Sequence, residues 1–177
     1  DNRNMGKTIV TFVFMFITLT LLQVTVFNHI CLFNLAVPFV FIYFIVRLPI
    51  TMSINWILTL AFILGLIVDI FSDTHGMHAL ACTITAMSRR RILQLYFPRE
   101  DDLTDPQPSI KTLGFGIYVK YLFTLVLFYC FLIFLIESFT LFNPLLLIGR
   151  IVFSTILTFA FILGIDSIIR KRREKRL

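Results

Sequence analysis

The sequence predicts an all-α membrane protein, a bundle of six transmembrane helices, on three observations. The first is composition. Of 177 residues, 58% are hydrophobic and 15% charged, 21 are Phe, and the mean hydropathy is +0.91, more apolar surface than one soluble core of this size buries. The second is run length: apolar stretches reach the roughly 20 residues that cross a hydrocarbon core about 30 Å thick at about 1.5 Å per residue. The third is charge, which collects between the runs and at the C-terminus. The runs are too continuous for the alternation of outer-membrane strands.

The first run, 8–27, reads as a retained anchor, because "VTVFNHICLF" offers no small-residue cleavage site. The residues before Met5 carry no weight in this reading. The second run, 35–50, is short, has Pro38 near its start and exits at Arg47. The third is 54–71. The fourth, 77–97, is the weakest: "MHALACTITAMS" supplies 12 residues before Arg89, Arg90 and Arg91, about 18 Å of helix. Extension through "RRRILQLYF" to Pro98, with the arginines snorkelling to the headgroups, completes it. The fifth and sixth are 113–137 and 145–169. The longest connector, "PREDDLTDPQPSIK" (98–111), is a charged loop with no room for a soluble domain. The chain therefore reads as one integral membrane domain, 1–177, ending in a basic tail, 170–177.

Parity supports six spans. With both termini on one side, fifteen of the sixteen basic residues fall there, and only Arg150 lies toward the other. The positive-inside rule makes that side the cytoplasm, whereas five spans would translocate the tail. The expected topology is multi-pass, with both termini cytoplasmic. Orientation also accounts for the net charge of +6 and pI near 9.6, so nucleic acid is not an expected partner. Six basic residues between Arg170 and Arg176 contribute about 1 kcal/mol each near an anionic leaflet, which makes anionic lipids the expected partners of the tail. Cys31, Cys82 and Cys130 are an odd count without metal-ligand spacing, and no disulfide framework is expected.

The densest polar stretch is "GLIVDIFSDTHGMHAL", 65–80, with Asp69, Asp73, His75 and His78. Carboxylate and imidazole are ordinary ligands of zinc and iron. Here the spacing fixes no third strong ligand, and nothing resembles HExxH. The blander reading is a helix hairpin whose polar residues lie at the membrane surface, and Asp73, His75 and His78 fit it. Asp69 differs, because Ala61, Gly65 and Asp69 recur at i, i+4 and i+8, a stripe that admits close helix approach. A carboxylate held inside a bundle needs a partner. Arg150 and Glu137 lie at comparable depth, so the sequence predicts an Asp69–Arg150–Glu137 cluster, the alternative being that each reaches the headgroups separately. On the inner side Lys120, Asp166 and Arg170 are the expected ion-pair candidates. The middles of the spans hold no acids, which argues against a proton pump. No catalytic constellation, metal set or cofactor motif is evident.

These residues carry a resemblance. "VPFVFIYFIVRLP" (37–49) followed by "FILGLIVDIFSDTHGMHALACTITA" (62–86) resembles the MreD family of rod-shape-determining proteins: a Pro early in a short second span, a basic exit, a Gly-x-x-x-Asp helix end, a turn containing Gly, and a His-Ala-Leu helix start. The matching positions are Gly65, Asp69, Ser72, Gly76, His78, Ala79 and Leu80, and Asp73, Thr74 and His75 stand where small residues and Pro are usual. The resemblance implies a non-enzymatic component of the bacterial cell-elongation machinery. It would bind MreC and thereby support peptidoglycan synthesis by RodA and its class B penicillin-binding partner, with MreB linked indirectly. It also implies a six-helix fold like that of the S components of vitamin transporters.

Two other classes remain in view. A small-molecule binder of the S-component type needs a polar, aromatic-lined pocket opening outward, yet Trp56, the only tryptophan, sits near the inner end of its span. A membrane hydrolase needs His78 set against a nucleophile such as Ser72.

Overall fold

In the computed structural model, residues 2–25, 37–97, 107–138 and 144–174 are described, and of these the side chains of 2–9, 111, 144 and 170–174 are not. The described chain is all helical: α1 (Asn2–Thr25), α2 (Ile42–Arg47), α3 (Ile54–Ser72), α4 (Met77–Tyr96), α5 (Ile110–Leu113), α6 (Phe115–Ser138) and α7 (Pro144–Glu174). Three helices are long and apolar enough to cross a membrane, within Ile54–Ser72, Phe115–Ser138 and Leu145–Ile169. A shorter apolar stretch, Val10–Thr25, lies in α1. The faces these helices turn outward are oily. Val13, Phe14 and Ile17 of α1, Ile70 and Phe71 of α3, and Ile148, Phe153 and Ile156 of α7 are exposed, a distribution that suits lipid as solvent and not water.

Packing centres on α3, α4 and α6, with α7 laid on α6 and α1 touching α3 and α2. α4 runs unbroken through its three arginines, and its 20 residues make about 30 Å of helix. The expected snorkelling fails at one position: Arg90 and Arg91 are exposed, but Arg89 is buried. It continues the face of Ala81 and Thr85, both buried, so a helical period of four carries it inward.

The largest departure is the expected second span. Its described part is not one helix across 37–50 but an irregular segment from Val37 to Phe41 leading into the six-residue α2, with Val40 to Val46 almost wholly buried. Pro38 lacks an N–H, and the residue before a proline is pushed out of helical conformation. The backbone groups this frees are met by side chains. The Gln23 amide donates to the Pro38 carbonyl at 3.0 Å and accepts from the Val40 N–H at 3.0 Å. Ser154 Oγ accepts from Val37 N–H at 3.1 Å and Thr158 Oγ1 from Phe39 N–H at 2.9 Å. Irregular backbone away from water persists only when its polar groups are satisfied in this way.

Candidate functional site

The stretch that the sequence singles out folds into one small device at the α3–α4 turn. The α3 helix ends at Asp69's own carbonyl, which accepts from the N–H groups of Asp73 and Thr74, with Asp73 in the left-handed region at φ 54°. The α4 helix starts after Gly76, at φ 77°, a conformation that glycine adopts without steric cost. Gly76 has no side chain with which to cap α4. Asp69 supplies the cap from the preceding helix. Its carboxylate accepts from His78 N–H at 2.9 Å, Ala79 N–H at 2.8 Å and the Thr74 hydroxyl at 2.6 Å. Two orphan donors of the helix start are thereby satisfied, and a negative charge sits at the positive end of the helix dipole.

The small-residue stripe makes this reach possible. A Cβ on Gly65 would lie 2.5 Å from Ala79 Cα and 2.6 Å from the His78 carbonyl oxygen, so α3 and α4 touch backbone to backbone there. Ala61 is fully buried on the same face. The stripe is thus occupied within the chain, by α4, and presents no surface to a partner helix.

His78 departs from the surface reading. It is buried, with Nδ1 2.6 Å from the Tyr129 hydroxyl and its ring stacked on Tyr129 at 18°. The edges of Phe39 and Phe41 close the rest of the ring. Asp73 and His75 stay in the exposed turn. Beside His78 a cavity of about 440 Å³ is lined by Phe39, Phe71, Phe134, Ser72, Thr74 and Glu137, among others. The single tryptophan is not among its lining residues. Trp56 is 65% exposed, and the aromatic lining comes from phenylalanines on three separated stretches.

The expected Asp69–Arg150–Glu137 cluster divides. Arg150 donates to Glu137 at 2.8 Å, with both side chains about one-third exposed at 34%, while Asp69 spends its carboxylate on the backbone of α4 and on Thr74. A helix start outcompetes a distant guanidinium because its N–H groups are fixed in place and need no side-chain ordering. At the other end of the bundle the ion-pair candidates are also rearranged. Asp166 accepts from the Tyr43 hydroxyl at 2.7 Å and lies 3.9 Å from Arg47, while Lys120 is exposed and makes no ion pair among the described residues. The side chain of Arg170 lies outside the described residues, as do His29 and Cys31. Cys82 and Cys130 are free and buried. Among the described residues no three His, Cys, Asp or Glu side chains gather in a metal-binding arrangement.

Fold and site together define an all-helical protein of the membrane class with a capped hairpin at one end and a buried ionic cluster at the other. Comparison of the chain with protein-family models, with curated proteins and with solved structures finds no match.

Proposed function

We propose that the chain is a non-enzymatic, six-span component of the bacterial inner membrane that acts in cell elongation as an MreD-like binder of MreC. The observation that carries the reading is the α3–α4 device. Gly65, Asp69, Gly76, His78 and Ala79, on which the resemblance rests, form one interdependent unit: close approach, carboxylate cap, left-handed N-cap, and a histidine fixed on Tyr129. The spacing is thus that of a built turn and not of scattered polar residues. Its chemistry is positional, since every polar atom of the Asp69 carboxylate is committed to the fold, which leaves a rigid hairpin end for a partner domain to meet.

In this reading MreC is the direct partner, with RodA, its class B penicillin-binding protein and MreB joined through it. Both termini are cytoplasmic, on the positive-inside argument, and the hairpin faces the periplasm. Two measurements test it. A reporter fused after Leu177 should be active in the cytoplasm and one inserted at Thr74 outside. Affinity purification from native membranes should recover MreC in stoichiometric amount. An extracytoplasmic C-terminus, or purification without MreC, overturns the reading.

The cavity beside His78 favours one second reading, a small-molecule binding subunit of the S-component type. Aromatic walls with a few polar groups are the usual make-up of such sites. Mass spectrometry of the purified chain under native conditions separates the two: a bound vitamin-sized molecule lost in Phe134→Ala supports the second, and MreC retained without it supports the first.

A further inference from the structure

We propose that the groove between α1 and α7, at the end of the bundle that carries the basic tail, binds one anionic phospholipid, with its phosphate beside Arg47 and an acyl chain along α1. The first observation is a charge imbalance. Arg47 and Arg89 are both buried, at 8% and 3% exposure, and among the described residues Asp166 is the buried acid at Arg47. Among the described residues Arg89 meets neutral groups, the Tyr121 hydroxyl and the Leu48 carbonyl. Arg47 has the Asp166 carboxylate at 3.9 Å, the Pro108 carbonyl at 3.4 Å and the Tyr43 ring beneath it, but Asp166 already holds the Tyr43 hydroxyl at 2.7 Å. Among the described residues, then, Arg47 has a single carboxylate, 3.9 Å away and already engaged by the Tyr43 hydroxyl, and Arg89 has no ion pair. Buried cations without matching anions are costly, and an anion at this place removes the cost.

The second observation is an unused donor in the same cluster. The Tyr118 hydroxyl is buried and has no hydrogen-bond partner among the described residues, although Asp166, Tyr43 and Arg47 are its electrostatic neighbours. The third is the shape of the space. A cavity of about 400 Å³ has Arg47, Tyr43 and Gln107 at its polar end and Phe14, Met15 and Ile169 along its walls. An inorganic anion answers the charge and leaves the walls empty, and an apolar helix of a partner fills the walls and leaves Arg47 unanswered. An amphiphile with a negative head does both, and the exposed apolar side chains of α1 beside the opening place it toward lipid. The basic run that begins in the last turns of α7, from Arg170 to Arg176, raises the local supply of such lipids.

The full chain, purified in a neutral detergent, is titrated with phosphatidylglycerol, with phosphatidylcholine of the same chains and with inorganic phosphate, and followed by native mass spectrometry and thermal melting. Phosphatidylglycerol should bind one per chain and raise the melting temperature, and the other two should not. Arg47→Gln should weaken binding about tenfold or more, as loss of a charged hydrogen bond requires, and Arg47→Lys should weaken it less. If Arg47→Gln fails to fold, Thr18→Trp decides: Thr18 lines the groove and is exposed, so the variant keeps every charge, folds, and should lose the bound lipid. Equal binding of phosphatidylcholine, protection by inorganic phosphate alone, or phosphatidylglycerol binding undiminished in Thr18→Trp overturns the proposal.

Discussion

The α3–α4 turn and the irregular segment 37–41 face the same problem, backbone polar groups away from water, and meet it at very different range. In the turn, the donors of His78 and Ala79 find Asp69 only nine and ten positions back. In the segment, Val40 reaches Gln23 across 17 positions, and Val37 and Phe39 reach Ser154 and Thr158 across 117 and 119. A hairpin carrying its own cap is organised as soon as two helices meet. The segment is organised only when α1 and α7 are both in place, so disturbing either remote helix disturbs it.

The largest effect tests the turn. Gly65→Leu should destabilise the chain by about 3 kcal/mol or more, because the added side chain meets backbone at 2.5 Å and backbone cannot step aside as a rotamer does. Reversible unfolding in mixed detergent measures it, and a loss under about 1 kcal/mol would mean that the helices do not touch there. Asp69→Ala should follow at about 3 kcal/mol, from two backbone donors left without an acceptor. Asp69→Asn keeps one acceptor oxygen and should cost about half as much.

Gln23→Leu is the matching cut in the segment. It strands one carbonyl and one N–H in the interior and should cost about 2 kcal/mol. The two regions should also differ in what they expose: hydrogen exchange in Gln23→Leu should rise at 37–41 and stay low in the 69–79 turn. Exchange rising equally in both would erase the contrast.

The smallest effect concerns Arg150. Its pair with Glu137 is about a third exposed at 34%, so screening holds it to under about 1 kcal/mol. Arg150→Gln and Asp69→Asn should add to within about 0.5 kcal/mol, since they share no partner, while Arg150→Gln and Glu137→Gln should not add. Strong coupling of Asp69 with Arg150 in a double-mutant cycle would restore the clasp that charge and depth suggest.

What was legible in the sequence follows from which groups have letters. The stripe Ala61, Gly65 and Asp69 is visible because helical period is visible, and it faces a helix as expected. Side-chain charges are written in the sequence and point to Arg150 as its partner, whereas the donors are backbone N–H groups at a helix start. The segment 37–41 is as apolar as the rest of the run 35–50, which reads as a span throughout. Pro38 is the local hint, and the distant hints are Gln23, Ser154 and Thr158, polar residues inside apolar runs that serve backbone elsewhere. Arg89 was legible in principle, since it extends Ala81 and Thr85 at intervals of four, but its two charged neighbours drew all three toward the headgroups. Nothing in the sequence brings Tyr43 to Asp166, a contact across 123 positions.

The doubly bonded Gln23 amide has a consequence for the order in which the protein is made. Residues 37–41 leave the ribosome with Gln23 already available, but with Ser154 and Thr158 more than a hundred residues from being synthesised. Until α7 arrives, Val37 and Phe39 have no partner for their N–H groups in the apolar phase, and the segment must wait near water. α7 is therefore the helix that seats the segment before α2, and a chain stalled before residue 154 would have α1 and its capped hairpin but no settled 37–41 segment.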